Sequence, residues 1–172
     1  MYLGTEIESV KNEVNALRQK QLELNMLISN LPEMPNESNE ITMRLTKLVI
    51  EQLDLRDAVS SIVSARRIGK PTMNKPRQIL MVVESQKFRD RILEARRKKK
   101  VTADLILKNA PANTLYFDEQ LTRENRHLLY KARSLASKIN VKFTWVKMVP
   151  STCEKLKALR RSLCGLRLIL II

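Results

Sequence analysis

The chain has 172 residues, a formal net charge of +14 and 44% hydrophobic content. That size suits one ordinary domain or a domain with an appendage, and the apolar content excludes general disorder. The excess of cations makes a polyanion the expected partner, because each phosphate contact releases condensed counterions; a membrane surface and a merely basic soluble domain are the blander alternatives.

Residues 1–24 carry an unbroken heptad pattern, with Ile7, Val14 and Gln21 at a and Leu3, Val10, Leu17 and Leu24 at d. Glu6 and Glu13 fall at g, and Lys11 and Arg18 at the following e, so two parallel copies would meet through opposite charges. The spacing predicts self-association as a parallel dimer or trimer rather than a surface helix lying on its own domain. Gln21 would set register at some cost in stability.

Met26 to Asn30 reads as a strand ended by Pro32 and Pro35. Ser38 or Asn39 can cap a helix whose inward face is Ile41, Leu45, Leu48, Val49 and Leu53. After a polar connection at 54–57, Val59 to Ile68 alternates as a strand, with Ala65 and Arg67 on one face and Arg66 and Ile68 on the other. A loop at 69–76 leads to the apolar run Ile79 to Val83, typical of a central strand. Ser85 can cap a helix from Gln86 to about Lys100, with Phe88, Ile92, Leu93 and Ala95 inward. Leu115 to Phe117 is a short strand, with Tyr116 and Phe117 expected in the sheet core. The order is β-α-β-β-α-β, the ferredoxin-like arrangement that RRM domains use. Thr122 then caps a helix with Leu128, Leu129, Ala132, Leu135, Ala136 and Ile139 on one face, and Val141 to Val146 is a strand on which Phe143 and Trp145 share a side. The expected fold class is α+β: a coiled-coil helix (1–24), an RRM-like domain (25–118) and a small, truncated α/β C-terminal domain (119–147).

The chemistry-bearing pattern is a series of cations. Arg66, Arg67 and Lys70 close the second strand; Lys75 and Arg77 enter the third; Arg89, Arg91, Arg96, Arg97, Lys98, Lys99 and Lys100 line the second helix of the module and its end. Cations suit a helix C-terminus on dipole grounds, yet their density exceeds that need. They are the expected nucleic-acid contacts, with Arg67 and Arg77 foremost because a guanidinium forks onto phosphate. Arg123, Arg126, Lys131 and Arg133 offer further contacts from the C-terminal unit. Trp145 is either core or a base-stacking surface, core being preferred.

Catalysis is not expected. His127 stands alone, there are 3 glycines, and no phosphate-cradling, zinc-protease or nucleophile-elbow motif occurs. Cys153 and Cys164 are too few for a disulfide framework or a zinc site, so neither metal nor cofactor is expected. With no secretory leader and no apolar run long enough to span a bilayer, an intracellular protein without membrane partners is expected.

Blocks along the chain resemble the baculovirus few-polyhedra protein family and the related first-frame proteins of LINE retrotransposons. They are NMLISNLPE, SARRIGK followed by KPRQILMVVES, FRDRILEARRKKK followed by TADL, LYFDEQLTRENRHLLYKARSLASK, and VKFTWVK, covering about residues 25–147. The resemblance implies an oligomeric protein that clasps single-stranded RNA or DNA between an RRM-like domain and a C-terminal domain, with strand-annealing chaperone activity in the retrotransposon branch. It equally implies, in the viral branch, an assembly protein acting through its coiled coil on protein partners. Typical RRMs stack bases on aromatic side chains of the first and third strands. Here those strands read Met26, Leu27, Ile28 and Ile79, Leu80, Met81, and aromatic content is 4%. Backbone electrostatics should therefore dominate, making binding sequence-tolerant and salt-sensitive.

In such families VKFTWVK continues with a stretch like NGxxYVRK, whereas this chain reads MVPSTCEKLKALRRSLCGLRLILII. Codons read one base earlier from Met148 allow the string NGPFYVRKTEGSKAI. Residues 148–172 are therefore expected to be an aberrant, out-of-frame tail, the alternative being a divergent but genuine end.

Overall fold

The computed structural model describes residues 3–138, 143–148 and 166–171, with side chains described for residues 4–135. It divides into two compact units, one of Met1–Leu22 with Leu121–Ile172 and one of Glu23–Gln120. The fold class is mixed α+β.

The first unit begins with helix α1 (Leu3–Gln21). Of its a and d side chains, Ile7, Val10, Val14 and Leu17 are 53%, 57%, 38% and 64% exposed among the described residues. The b and f side chains, Asn15 and Gln19, instead meet the start of a later helix of the same unit. There the Thr122 hydroxyl donates to Asn15 Oδ1 at 2.7 Å, Asn15 Nδ2 donates to Asn125 Oδ1 at 2.9 Å, and Gln19 Oε1 accepts from the Thr122 amide and Asn125 Nδ2 at 3.0 and 2.8 Å. Gln19, Thr122 and Asn125 are buried, and a closed set of bonds is what makes such burial tolerable. Gln21 ends the helix and is exposed. Leu24 lies beyond it and packs on the core of the second unit, so it is not part of the α1 stripe. The expectation for the Leu3 side chain lies outside the described residues.

The Glu23–Gln120 unit contains strand β1 (Asn25–Ser29), helix α2 (Asn39–Gln52), a 3-10 helix (Arg56–Ser61), β2 (Ile62–Ile68), β3 (Gln78–Val83), helix α3 (Gln86–Lys98), a short 3-10 turn (Ala103–Leu105) and β4 (Tyr116–Glu119). The four strands form one antiparallel sheet in the order β2-β3-β1-β4. One face is apolar by alternation: Met26 and Ile28, Ile79, Met81 and Val83, Ala65 and Phe117 are all buried. Leu45, Val49 and Ile50 of α2 and Ile92 of α3 belong to the same core cluster. Helix α2 starts where expected, with Ser38 Oγ accepting from the Ile41 amide at 3.3 Å. It ends at Asp54, whose positive φ of 62° reverses the chain.

Several expectations shift. The strand foreseen from Val59 begins at Ile62, because Arg56–Ser61 turns as a 3-10 helix with Ala58 and Ser61 buried. A register shift between Ile62 and Ser64 leaves Val63 62% exposed. Leu48, expected inward, is 43% exposed.

In the first unit, helix α4 (Arg123–Lys138) is capped as foreseen, the Asn125 amide donating to Thr122 Oγ1 at 3.2 Å. Leu129 and Ala132 are half-buried, but Leu128 and Leu135, expected inward, are 37% and 61% exposed. The expectations for the Ala136 side chain, Ile139 and Val141 lie outside the described residues, as does the choice of environment for Trp145. Strand β5 (Phe143–Met148) pairs antiparallel with β6 (Leu166–Ile171), so a stretch expected as aberrant tail supplies a strand.

Candidate nucleic-acid interface

The cations expected to reach a ligand occupy unlike environments. Arg67 stands opposite Ile79 on the helix side of the sheet, and its side chain is 4% exposed. All five guanidinium N–H groups have acceptors. Nε and Nη2 fork onto the Glu37 carboxylate at 2.9 and 3.2 Å, Nη1 donates to the carbonyls of Leu31 and Arg77 at 2.8 Å, and Nη2 donates to that of Pro32 at 2.8 Å. Arg67 is thus a clasp holding the segment after β1 against β2 and β3, and the expectation that it would present its fork to a phosphate is corrected. Nothing in the sequence marks the partner except Glu37 itself, 30 residues upstream.

Arg77 is engaged in the same way. Its amide donates to Glu33 Oε1 at 2.7 Å, and Nε and Nη2 donate to Glu33 Oε2 at 2.8 and 2.6 Å. Arg89 is buried, donating to the Glu23 carbonyl at 2.7 Å and to Asp90, with Glu119 at 3.8 Å. Arg89 is thus a structural tie rather than the expected ligand contact, while Arg77, its side chain 27% exposed, is ion-paired at the surface. Around α3, Arg91 pairs with Asp57 and lies 5.7 Å from the Phe88 ring, Lys98 pairs with Glu94 and Lys99 with Asp54, and Arg96 is 3.8 Å from Asp118. Exposed pairs of this kind are weak and exchange readily for another anion. Arg97 and Lys100 carry no ion pair among the described residues. Arg123, Lys131 and Arg133 are exposed on α4, and Arg126 donates to the Leu121 carbonyl at 3.3 Å. Within Glu23–Gln120 the basic series thus divides between arginines tied internally and cations exposed at the surface.

A different group of cations is gathered, around the edge strand β2. Asn39, Glu40, Met43, Arg44 and Lys47 of α2 and Ser64, Ala65 and Arg66 of β2 line an open groove of about 490 Å³. Arg44, Lys47 and Arg66 are exposed and have no ion pair among the described residues, and Glu40 is the one carboxylate of the lining. Strand β2 then runs into the hairpin loop, turned by Gly69 at φ 90° and closed by the Thr72 hydroxyl donating to the Lys75 carbonyl at 2.8 Å. Lys70 and Lys75 are exposed on that loop. By register Arg66 also belongs to the face away from the helices, in a row with Leu80, Leu27 and Asp118. Of the residues singled out from sequence, Arg66, Lys70 and Lys75 thus lie on one strand and its loop. Arg44 and Lys47 were missed; their signal was their place three residues apart on the polar side of α2, one helical turn along.

The carboxylates of the clasp set a pH dependence. Burial pushes the Glu37 acid up, but the bonds from Arg67, the Met34 amide and the Thr42 hydroxyl outweigh it and hold it below 4.5. The Arg77 fork holds Glu33 below 4.5 as well. A carboxyl lowered on folding adds stability above its unfolded value and loses it as pH falls through the folded value. Burial raises Glu119 above 4.5 despite Arg89 and Arg96, so its protonation acts in the opposite sense. The urea midpoint is expected to fall as pH drops below about 4.5, and more shallowly in Glu37→Gln. A midpoint flat to pH 3 would contradict the clasp.

No protein-family model and no curated protein matches the chain. Among solved structures, the C-terminal domain of the S. pombe telomerase accessory protein Pof8 aligns over 64% of this chain and 96% of its own, at 14% identity and a TM-score of 0.33. Among the described residues, no helix is long and apolar enough to cross a membrane, and no group of three or more His, Cys, Asp or Glu side chains could hold a metal ion.

Proposed function

We propose that this protein is a non-enzymatic, oligomeric binder of single-stranded RNA or DNA with little sequence preference, built as an RRM-like domain carried by a coiled coil, as in the first-frame proteins of LINE elements and the few-polyhedra family. The observation that carries the reading is the set of cations Arg44, Lys47 and Arg66 around one groove, without ion pairs among the described residues and continued by Lys70 and Lys75, in a chain of net charge +14. Cations without internal partners lose little on meeting a phosphate, and each releases counterions when it does. The antiparallel order β2-β3-β1-β4 with β-α-β-β-α-β connectivity supports the RRM-like assignment.

A second reading is an assembly protein acting through α1 on protein partners. What favours it is the exposed stripe of Ile7, Val10, Val14 and Leu17, together with the internal engagement of Arg67, Arg77 and Arg89.

Mobility shifts of a single-stranded 20-mer test the choice. Replacing Arg44, Lys47 and Arg66 by glutamine is expected to weaken binding to all sequences and to make the salt slope shallower by about 2, at ~0.7 per phosphate contact. Replacing Lys98 and Lys99, already paired at the surface, should change it less. Equal losses from both variants would remove the groove from the proposal, and absence of binding by the unaltered chain at low salt would favour the assembly reading.

A further inference from the structure

Among the described residues, the face of the sheet away from the helices carries one aromatic side chain. Tyr116 was expected in the core, but β4 alternates so that Phe117 is 3% exposed and Tyr116 is 56% exposed. The pairings of Ile68 with Gln78, and of Ser29 with Tyr116, put these four in one row, next to the loop that bears Lys70 and Lys75. Gln78 Nε2 donates to Ser29 Oγ at 2.8 Å, which joins the two middle members of the row. The Tyr116 phenol makes no hydrogen bond among the described residues.

We infer that Tyr116, with Gln78 and Ser29 beside it, forms a nucleobase-stacking subsite on the outer face of β4. The inference rests on the nucleic-acid reading above and names where a base, rather than a phosphate, is held. A half-exposed ring on a flat sheet offers its π-face to any base, so the grip is tolerant of sequence. The Gln78 carbonyl, its second N–H and the Ser29 hydroxyl remain to meet a base edge. Arg66 stands on the opposite edge of the same face, in the neighbouring row, about 16 Å away across three interstrand spacings and two residues along the strands. A phosphate at Arg66 and a base at Tyr116 are thus compatible with one strand laid across the sheet. Asp118, next on this face of β4, lies 3.8 Å from Arg96, whereas Arg66 has no ion pair among the described residues, so the strand's backbone is drawn toward the Arg66 and hairpin side while a base occupies Tyr116.

The test compares the full chain with Tyr116→Ala and Tyr116→Phe, using a single-stranded 12-mer and an abasic sugar-phosphate chain of the same length. The unaltered chain and Tyr116→Phe are expected to hold the base-bearing strand about tenfold or more tighter than the abasic one. Tyr116→Ala is expected to lose that preference while keeping the same salt slope and the same thermal midpoint. Undiminished preference in Tyr116→Ala, or no preference in the unaltered chain, would overturn the subsite and leave the electrostatic reading standing. Failure of the unaltered chain to hold either strand would overturn both.

Discussion

Replacing Arg67 by methionine is expected to destabilise the Glu23–Gln120 unit by about 3–5 kcal/mol, the usual cost of leaving a buried charge without its partner. Glu37 is 1% exposed and would keep a carboxylate in the interior with two weaker donors, the Met34 amide and the Thr42 hydroxyl. Three carbonyls, of Leu31, Pro32 and Arg77, would lose a donor as well. For a unit of this size the thermal midpoint should drop by roughly 15 °C or more. Pairing the change with Glu37→Gln removes the stranded charge and should recover much of the loss, since the amide oxygen can still accept from the Met34 amide while its NH2 donates to the Thr42 hydroxyl, which keeps the Ser38 carbonyl as its own acceptor. A loss below about 1 kcal/mol in the single variant would contradict a clasp with all donors engaged. Any fall in nucleic-acid affinity of Arg67 variants should therefore track unfolding and disappear when the measurement is made well below the midpoint.

Val10→Asp with Leu17→Asp should convert the chain to a monomer in sedimentation. In a parallel pairing these d positions would face their counterparts, and four charges would enter the seam for each pair of copies. Helix α1 should survive the change, because Asn15 and Gln19 hold it from the opposite side through Thr122 and Asn125. The consequence for binding is one of avidity. Affinity for strands long enough to engage several copies should fall by about 10²-fold or more, while affinity for a 12-mer spanning one copy should hardly move. An oligomer that persists in the double variant would place the interface elsewhere, and the stripe would then be an exposed surface without that role.

Local patterns in the sequence were legible where one physical rule dominates. The apolar run Ile79 to Val83 marked a central strand, and alternation marked the split of Arg66 from Arg67. The caps at Ser38 and Thr122 could be read because a hydroxyl before an apolar periodic run has few other uses. The heptad was visible as spacing, but its end was not. Leu24 satisfies the period, yet the strand that follows needs it for its own core, and tertiary packing prevails over periodicity. The candidate site was read least well, since charge alone does not reveal pairing. Glu37 and Glu33 lie 30 and 44 residues before the arginines they neutralise, and only folding brings them together. Arg44 and Lys47 carry no mark of a site in the sequence, since two cations on a helix face suit plain solvation; only the edge strand alongside gives them company. Tyr116 and Phe117 both suit a sheet core by residue type, yet adjacent strand residues must face opposite ways.

The salt dependence of single-strand binding bears most directly on the proposed role. If the five exposed cations Arg44, Lys47, Arg66, Lys70 and Lys75 each meet a phosphate, log affinity should fall against log salt with a slope of about −3.5, for purine and pyrimidine strands alike. Binding that is absent at low salt, or that holds level as salt rises, would contradict a grip made by displacing counterions.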